Sequence, residues 1–192
     1  MEAFLVSLTT VATAEMGDRT QLLALVLAAR FRKPWPMVLA VLCATLANHL
    51  VAGAIGVWVG RLLTPARLDL LVGISMVGMA LWTLKPDTLD EKQGETTGAS
   101  AFVTTLVAFF IAEIGDKTQI ATVALAAAYS NLFAVVAGTT CGMMAANVPV
   151  IFLGNAFAHR LPIKAIHYAA SALFLVVGVV FVVRSGVFSR AV

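Results

Sequence analysis

The stretch AEMGDRTQLLALVLAA at residues 14–29 has a near copy, AEIGDKTQIATVALAA, at residues 112–127. Both copies lie within long apolar segments, and each carries an E-x-G-D-[KR]-T motif with two acids and one base. A second match follows at nearly the same spacing, because LAN ending at Asn48 corresponds to AAN ending at Asn147. Self-similarity at a fixed spacing is typical of an internal repeat. The sequence therefore predicts a chain built from two related halves.

The chain as a whole is far more apolar than a soluble domain. Of its 192 residues, 60 % are hydrophobic and 12 % are charged, whereas soluble domains are about 45–50 % apolar and about 25 % charged. The Lys and Arg residues behind the net charge of +3 are scattered among segment ends, unlike the basic stripe of a nucleic-acid-binding protein. We therefore predict an integral membrane protein without a nucleic-acid partner.

Cys43 and Cys141 lie in apolar segments and match no metal-binding spacing, so we expect buried thiols.

Six segments are long and apolar enough to cross a bilayer, which takes about 20 residues of helix. They are approximately residues 4–29, 37–62, 68–84, 101–129, 132–158 and 166–183. Because each half holds three spans, the second half must enter the membrane from the opposite side. We predict an all-α integral membrane protein with six transmembrane helices arranged as two inverted three-helix repeats. The predicted units are residues 1–85 for the first repeat, 86–100 for a polar cytoplasmic linker and 101–192 for the second repeat.

Basic residues outside the spans predict the orientation. The side that includes the linker carries Arg30, Arg32, Lys33, Lys85, Lys92, Arg160 and Lys164. The opposite side carries Arg61, Arg67, Arg184 and Arg190. The excess of positive charge marks the cytoplasmic side, which places both termini outside the cytoplasm. The first apolar segment lacks a basic region before it, so we interpret it as a retained span and not as a cleaved signal peptide.

The charged motifs pose an energetic problem inside a membrane. A charge at the bilayer centre costs at least ~2.5–3.5 kcal/mol on insertion scales. Each motif has two acids and one base, so internal pairing leaves one negative charge in each half. Inverted symmetry brings the two motifs together, and one divalent cation or two protons would balance the remaining charge. The motifs contain neither His nor Cys, which favours Mn²⁺, Ca²⁺ or Mg²⁺ over Zn²⁺ or Cu⁺.

The predicted ligands and their neighbours follow from these motifs. Metal ligation is predicted for Glu15, Asp18, Glu113 and Asp116. Spacing of three residues places the two acids of a motif on one face of a regular helix, and Arg19 and Lys117, four residues after the glutamates, are expected to balance their charge. Further ligands, or donors to the ligands, are expected among Thr20, Gln21, Thr118, Gln119, Asn48 and Asn147.

Three residues remain open to two interpretations. Gly17 and Gly115 separate the acids; they either interrupt the helix so that carbonyls turn toward an ion, or allow close helix packing. His49 has no counterpart in the second half, where Val148 stands. A packing histidine is favoured there over a proton relay.

The doubled motif, EMGDRT and EIGDKT, resembles the signature of the cation/proton exchanger family formerly called uncharacterised protein family 0016. Both copies fit it in full, and the six-span layout covers the whole chain. The resemblance implies secondary transport of Mn²⁺ or Ca²⁺ coupled to H⁺, with cation binding by Glu15, Asp18, Glu113 and Asp116. It further implies a manganese exporter of the bacterial inner membrane, in contact with lipid and without a cofactor beyond its transported ion.

Other functions are distinguishable in principle. An exporter of cationic amino acids would also use buried carboxylates, but it would need an apolar subsite near the motifs, where only Phe109 and Phe110 are close. A passive divalent-cation channel would show flux without proton coupling. An intramembrane enzyme would need a nucleophile or metal motif, and the sequence has none.

Overall fold

The computed structural model describes residues 1–84, 100–129, 131–153 and 163–187. These residues form eight α-helices and, within the described ranges, no strand. The helices are α1 (Glu2–Glu15), α2 (Arg19–Phe31), α3 (Pro34–Leu62), α4 (Pro65–Thr83), α5 (Ala101–Glu113), α6 (Lys117–Tyr129), α7 (Leu132–Leu153) and α8 (Ile163–Arg184). The predicted linker at 86–100 lies outside the described residues except for Ser100, whose Oγ caps α5 by accepting from the N–H of Val103 at 3.3 Å.

Three of these helices, α3, α4 and α7, are long and apolar enough to cross a membrane. They coincide with the second, third and fifth predicted segments. Helix α5 and the Tyr168–Arg184 part of α8 are shorter and also apolar. The all-helical structure and its apolar helices are those of a membrane protein.

The first and fourth predicted segments are each divided into two short helices. Helix α1 ends at Glu15 and α2 begins at Arg19, while α5 ends at Glu113 and α6 begins at Lys117. Both breaks contain a glycine with a positive φ, +80° at Gly17 and +73° at Gly115. Glycine adopts this left-handed conformation without the steric cost that a Cβ imposes. The helix therefore does not stay regular through either motif, and of the two interpretations of the glycines the structure has the interrupted helix.

Several helix contacts between the two halves are reciprocal. Helix α1 packs against α7, and its counterpart α5 packs against α3. In the same way α2 contacts α5 and α7, while α6 contacts α1 and α3, and α4 pairs with α8. The ends of α1 and α5 and the starts of α2 and α6 lie in the interior, where Glu15, Asp18, Glu113, Asp116 and Lys117 are buried.

The two cysteines correct an expectation from the sequence. Cys43 and Cys141 are both exposed on the protein, not buried. Cys43 lies on a stripe of α3 at helical spacing with Leu39, Leu46 and Leu50, which are exposed as well. An apolar environment in a membrane protein can be lipid as well as protein, so apolar flanking residues do not predict burial.

Candidate cation site

The two helix breaks bring carboxylates from both motifs into one cluster. Glu15, Asp18 and Asp116 are buried, and each offers an oxygen atom such that all three atoms lie within 4.8 Å of one another. Oxygen ligands bind Ca²⁺ at about 2.3–2.6 Å, so two ligands of one ion lie within about 5 Å of each other. The spacing of these three oxygens therefore suits a single divalent cation.

Both ion pairs of the cluster join one motif to the other. Arg19 Nη2 lies 3.1 Å from Asp116 Oδ1, and Lys117 Nζ donates to Asp18 Oδ1. Lys117 and Asp18 are almost completely buried, whereas the side chain of Arg19 is 27 % exposed. The bases thus pair with the aspartate of the other half, and the sequence spacing had suggested the glutamate of the same motif.

The threonine of each motif donates to an acid. Thr20 Oγ1 donates to Glu15 Oε2, and Thr118 Oγ1 donates to Asp116 Oδ2 at 3.2 Å. Other threonines of the chain, such as Thr9 and Thr122, instead bond a carbonyl four residues earlier in their own helix. The motif threonines therefore orient carboxylates, and the first of them bridges the helix break.

The glutamines of the motifs stabilise the breaks. Gln21 Oε1 accepts from the N–H of Gly17 at 2.8 Å, and Gln119 Oε1 accepts from the N–H of Gly115 at 2.7 Å. The same bond thus replaces a helical one in both halves. Gln21 also donates through Nε2 to the carbonyl of Ala146 at 3.0 Å, which ties the first break to α7. Each glutamine thus supports a break through its amide oxygen, which accepts one backbone hydrogen bond.

Glu113 lies under different constraints from the other three acids. Its Oε1 accepts from Thr45 Oγ1 at 2.7 Å, and its Oε2 accepts from Asn48 Nδ2 at 3.2 Å. Both donors belong to α3. Thr45 was missed by the sequence analysis, although its position one helical turn before Asn48 places both on the same face.

Comparison with known proteins matches two segments of the chain to one family. The family profile described as "Divalent cation/proton antiporter GDT1" matches residues 3–91 and 101–187. This chain belongs to the GDT1 family. Its two matched segments contain one E-x-G-D-[KR]-T motif each, so the predicted family membership is confirmed.

Curated relatives support the assignment to the GDT1 family over most of the length. A Vibrio cholerae protein named "Putative manganese exporter" is 47 % identical over 176 residues, which cover 91 % of this chain and 88 % of that protein. A GDT1-like protein of Synechocystis is 28 % identical over 204 residues, which cover 94 % of this chain and 96 % of that protein. Protein PAM71 of Arabidopsis thaliana chloroplasts is 39 % identical over 89 residues, 46 % of this chain and 24 % of its own. No solved structure matches the chain.

The two asparagines occupy different environments in this GDT1 family member. Asn48 contacts Glu113, as described above, and also donates to the carbonyl of Phe110 at 3.2 Å. Asn147 donates instead to the carbonyl of Met143 in its own helix at 3.1 Å. Asn147 Oδ1 is buried and has no hydrogen-bond partner among the described residues. The halves are therefore related in sequence and helix order but not identical at the site.

His49 is buried beside Asn48 on α3. Neither of its ring nitrogens has a hydrogen-bond partner among the described residues. The interpretation of His49 as a packing residue stays a prediction.

Proposed function

We propose that this protein exports divalent cations, Mn²⁺ first and Ca²⁺ second, in exchange for protons. The observation that carries the proposal is the convergence of Glu15, Asp18 and Asp116 from both motifs in one buried cluster. Glu113 completes the set of four acids and Arg19 and Lys117 balance part of their charge. A site of this composition binds a hard or borderline divalent cation through oxygen.

The charge count motivates coupling to protons. Four carboxylates face two bases, so the empty site carries two negative charges in a desolvated environment. One M²⁺ neutralises them, and after its release two protons would do the same. We infer an exchange of about two H⁺ for each M²⁺. The site is then electrically neutral whenever the protein changes between its two open states, so the transport rate depends little on membrane voltage.

Alternating access requires an arrangement that can open to either side. We propose that α1 with α2, and α5 with α6, each cross the bilayer once as a discontinuous helix. Together with α3, α4, α7 and α8 this gives six crossings in two inverted three-helix repeats, residues 1–85 and 101–192 with a cytoplasmic linker at 86–100. The reciprocal helix contacts and the equivalent breaks support this arrangement, since discontinuous helices at the repeat interface are typical binding sites of such transporters.

The same proposal covers location and direction. The distribution of basic residues supports both termini outside the cytoplasm. A bacterial inner membrane and manganese as the exported ion are supported by the Vibrio cholerae relative, whose name describes a manganese exporter. Membrane lipid is then the environment of the exposed apolar stripes.

Export can be tested in a manganese-sensitive bacterial strain. Cells that express the protein should contain less Mn²⁺, measured by mass spectrometry, and should grow at higher external Mn²⁺ than cells that carry an empty vector. Expression of the Asp18→Asn variant to the same level in the membrane is the matched control, and it should give no protection. Unchanged Mn²⁺ content with the unaltered protein well expressed would show that it is not a manganese exporter.

A further inference from the structure

Helices α1 and α7 run in the same direction and pack backbone to backbone. A Cβ placed on Gly138 would lie 2.4 Å from the carbonyl oxygen of Phe4, and one on Gly142 would lie 2.7 Å from that of Leu8. A step of four residues along α7, from Gly138 to Gly142, thus matches a step of four residues along α1, from Phe4 to Leu8. The next step of this register places Ala146 alongside Ala12 and the end of α1.

The break after α1 is also joined to the middle of α7 through Gln21 of α2. Gln21 bonds both the N–H of Gly17 and the carbonyl of Ala146. This register places Asn147 alongside Thr13, two residues before Glu15, and Met143 about one helical turn earlier. Met143 reaches Asn147 through its sulfur atom, which lies 3.1 Å from Asn147 Nδ2. The side chains of Glu15, Asn147 and Met143 all have a relative exposure of 0 %.

Two oxygen atoms at this level have no partner among the described residues. They are Glu15 Oε1 and Asn147 Oδ1. A carboxylate oxygen and an amide oxygen are both acceptors, so they cannot satisfy each other. Buried acceptors without a partner are costly, and a bound ion or water commonly explains them. Glu15 belongs to the carboxylate cluster, and the helix register places Asn147 within one turn of it, so one bound cation would satisfy both acceptors.

A sulfur atom accompanies these oxygens in only one half of the protein. Met143 Sδ lies 3.1 Å from Asn147 Nδ2. The position equivalent to Met143 in the first half is occupied by Ala44, just as Asn48 is equivalent to Asn147. The thioether is therefore a distinct feature of the Glu15 side and is not required by the repeat.

We propose that Asn147 Oδ1 and Met143 Sδ complete the donor set of the cation on the Glu15 side, and that the thioether selects Mn²⁺ against Ca²⁺ and Mg²⁺. This inference rests on the proposed function and specifies its substrate. Thioethers are soft ligands, and Ca²⁺ and Mg²⁺ are hard cations that bind oxygen. Where sulfur occupies a coordination position, Ca²⁺ and Mg²⁺ bind more weakly because they gain little from a soft ligand. Mn²⁺ loses less binding free energy there because it is a transition metal.

The test is a binding measurement on the purified protein in detergent. Free Mn²⁺ is followed by electron paramagnetic resonance during titration, first alone and then with Ca²⁺ or Mg²⁺ as competitor. Met143→Leu keeps the volume and removes the sulfur. Its preference for Mn²⁺ over Ca²⁺ should fall by about tenfold or more, since even the loss of a group that only supports a metal ligand typically costs about 10–100-fold in affinity. Met144→Leu, at the next residue of α7, is the matched control and should keep the preference of the unaltered protein.

Met143→Ala provides a second variant, because it installs the residue found at the equivalent position of the first half. Both variants should lose selectivity together, with unfolding temperatures measured in parallel. An unchanged Mn²⁺ to Ca²⁺ preference in either folded variant would overturn the role of the sulfur while leaving divalent-cation transport intact. Absence of Mn²⁺ and Ca²⁺ binding to the unaltered protein would instead overturn the proposed function itself.

Discussion

Lys117, the base of the second motif, donates to the carboxylate of Asp18 in the first motif, 99 positions earlier in the chain. Both side chains are buried, with relative exposures of 1 % and 0 %. Arg19 and Asp116 form the reciprocal pair at 3.1 Å. Each half therefore supplies the counter-charge of the other.

Removing Lys117 should leave a buried, uncompensated carboxylate. We expect Lys117→Gln to destabilise the protein by about 3–5 kcal/mol, the cost of breaking a buried ion pair from one side. Adding Asp18→Asn should restore most of this stability, because both charges are then gone, but it should not restore transport. Thermal unfolding in detergent measures the first effect and Mn²⁺ flux the second. A double variant as unstable as Lys117→Gln alone would contradict the pairing.

Neutralising one aspartate in either half should abolish transport. Asp18→Asn and Asp116→Asn each remove one ligand charge from the cluster, and we expect both to reduce Mn²⁺ flux to background in a folded protein. Asp69→Asn is the matched control, since Asp69 pairs with Arg184 at 3.9 Å away from the motifs. Normal flux in one of the two motif variants would indicate that the halves do not share a site.

The positive φ of the break can be tested separately from packing. A Cβ on Gly115 would meet no atom within 4 Å, so Gly115→Ala should act only through the backbone. We expect a loss of about 1–2 kcal/mol from the left-handed conformation, together with impaired transport. Gly78→Ala, in α4, also meets no atom and should be neutral or slightly stabilising because helical glycine is unfavourable. Equal unfolding temperatures for the two variants would argue against a strained break.

Thr45 should hold Glu113 in place. Thr45→Val removes the hydroxyl that donates to Glu113 Oε1 and leaves a buried acceptor unsatisfied, at a cost of about 1–3 kcal/mol. We expect a lower unfolding temperature and slower Mn²⁺ flux. Thr9→Val is the comparison, since that hydroxyl bonds only carbonyls of its own exposed helix face. Indistinguishable behaviour of the two variants would remove Thr45 from the site.

The doubled motif was enough to predict the family, and hydropathy was enough to predict a membrane protein. The ligand roles of the four acids and the charge-balancing roles of the two bases stay predictions. Pairing between motifs was not predictable, because Arg19 lies four residues from Glu15 and 97 from Asp116, and sequence reasoning favours the near partner. Only the packing of the helices reverses this preference.

The helix breaks and the difference between the halves were also beyond the sequence. A glycine in the sequence is compatible with a helix break and with close helix packing. Only the backbone angle φ of Gly17 and Gly115 in the structure distinguishes the two. Likewise Asn48 and Asn147 are equivalent in the repeat, yet one contacts Glu113 and the other bonds its own helix. Such a difference arises from tertiary contacts that a repeat alignment does not contain.

The central claim is that the two motifs together form one site, at which the protein exchanges one divalent cation for protons. The most direct measurement uses purified protein in liposomes with an entrapped pH dye, to which Mn²⁺ is added with and without an imposed potential. We predict Mn²⁺ entry with proton exit at about two H⁺ per ion, little effect of voltage, and tighter Mn²⁺ binding as the pH on the loading side rises, because only deprotonated carboxylates bind metal. Mn²⁺ flux that leaves the internal pH unchanged, or that follows voltage as a charge of two would, contradicts the exchange mechanism and indicates a channel.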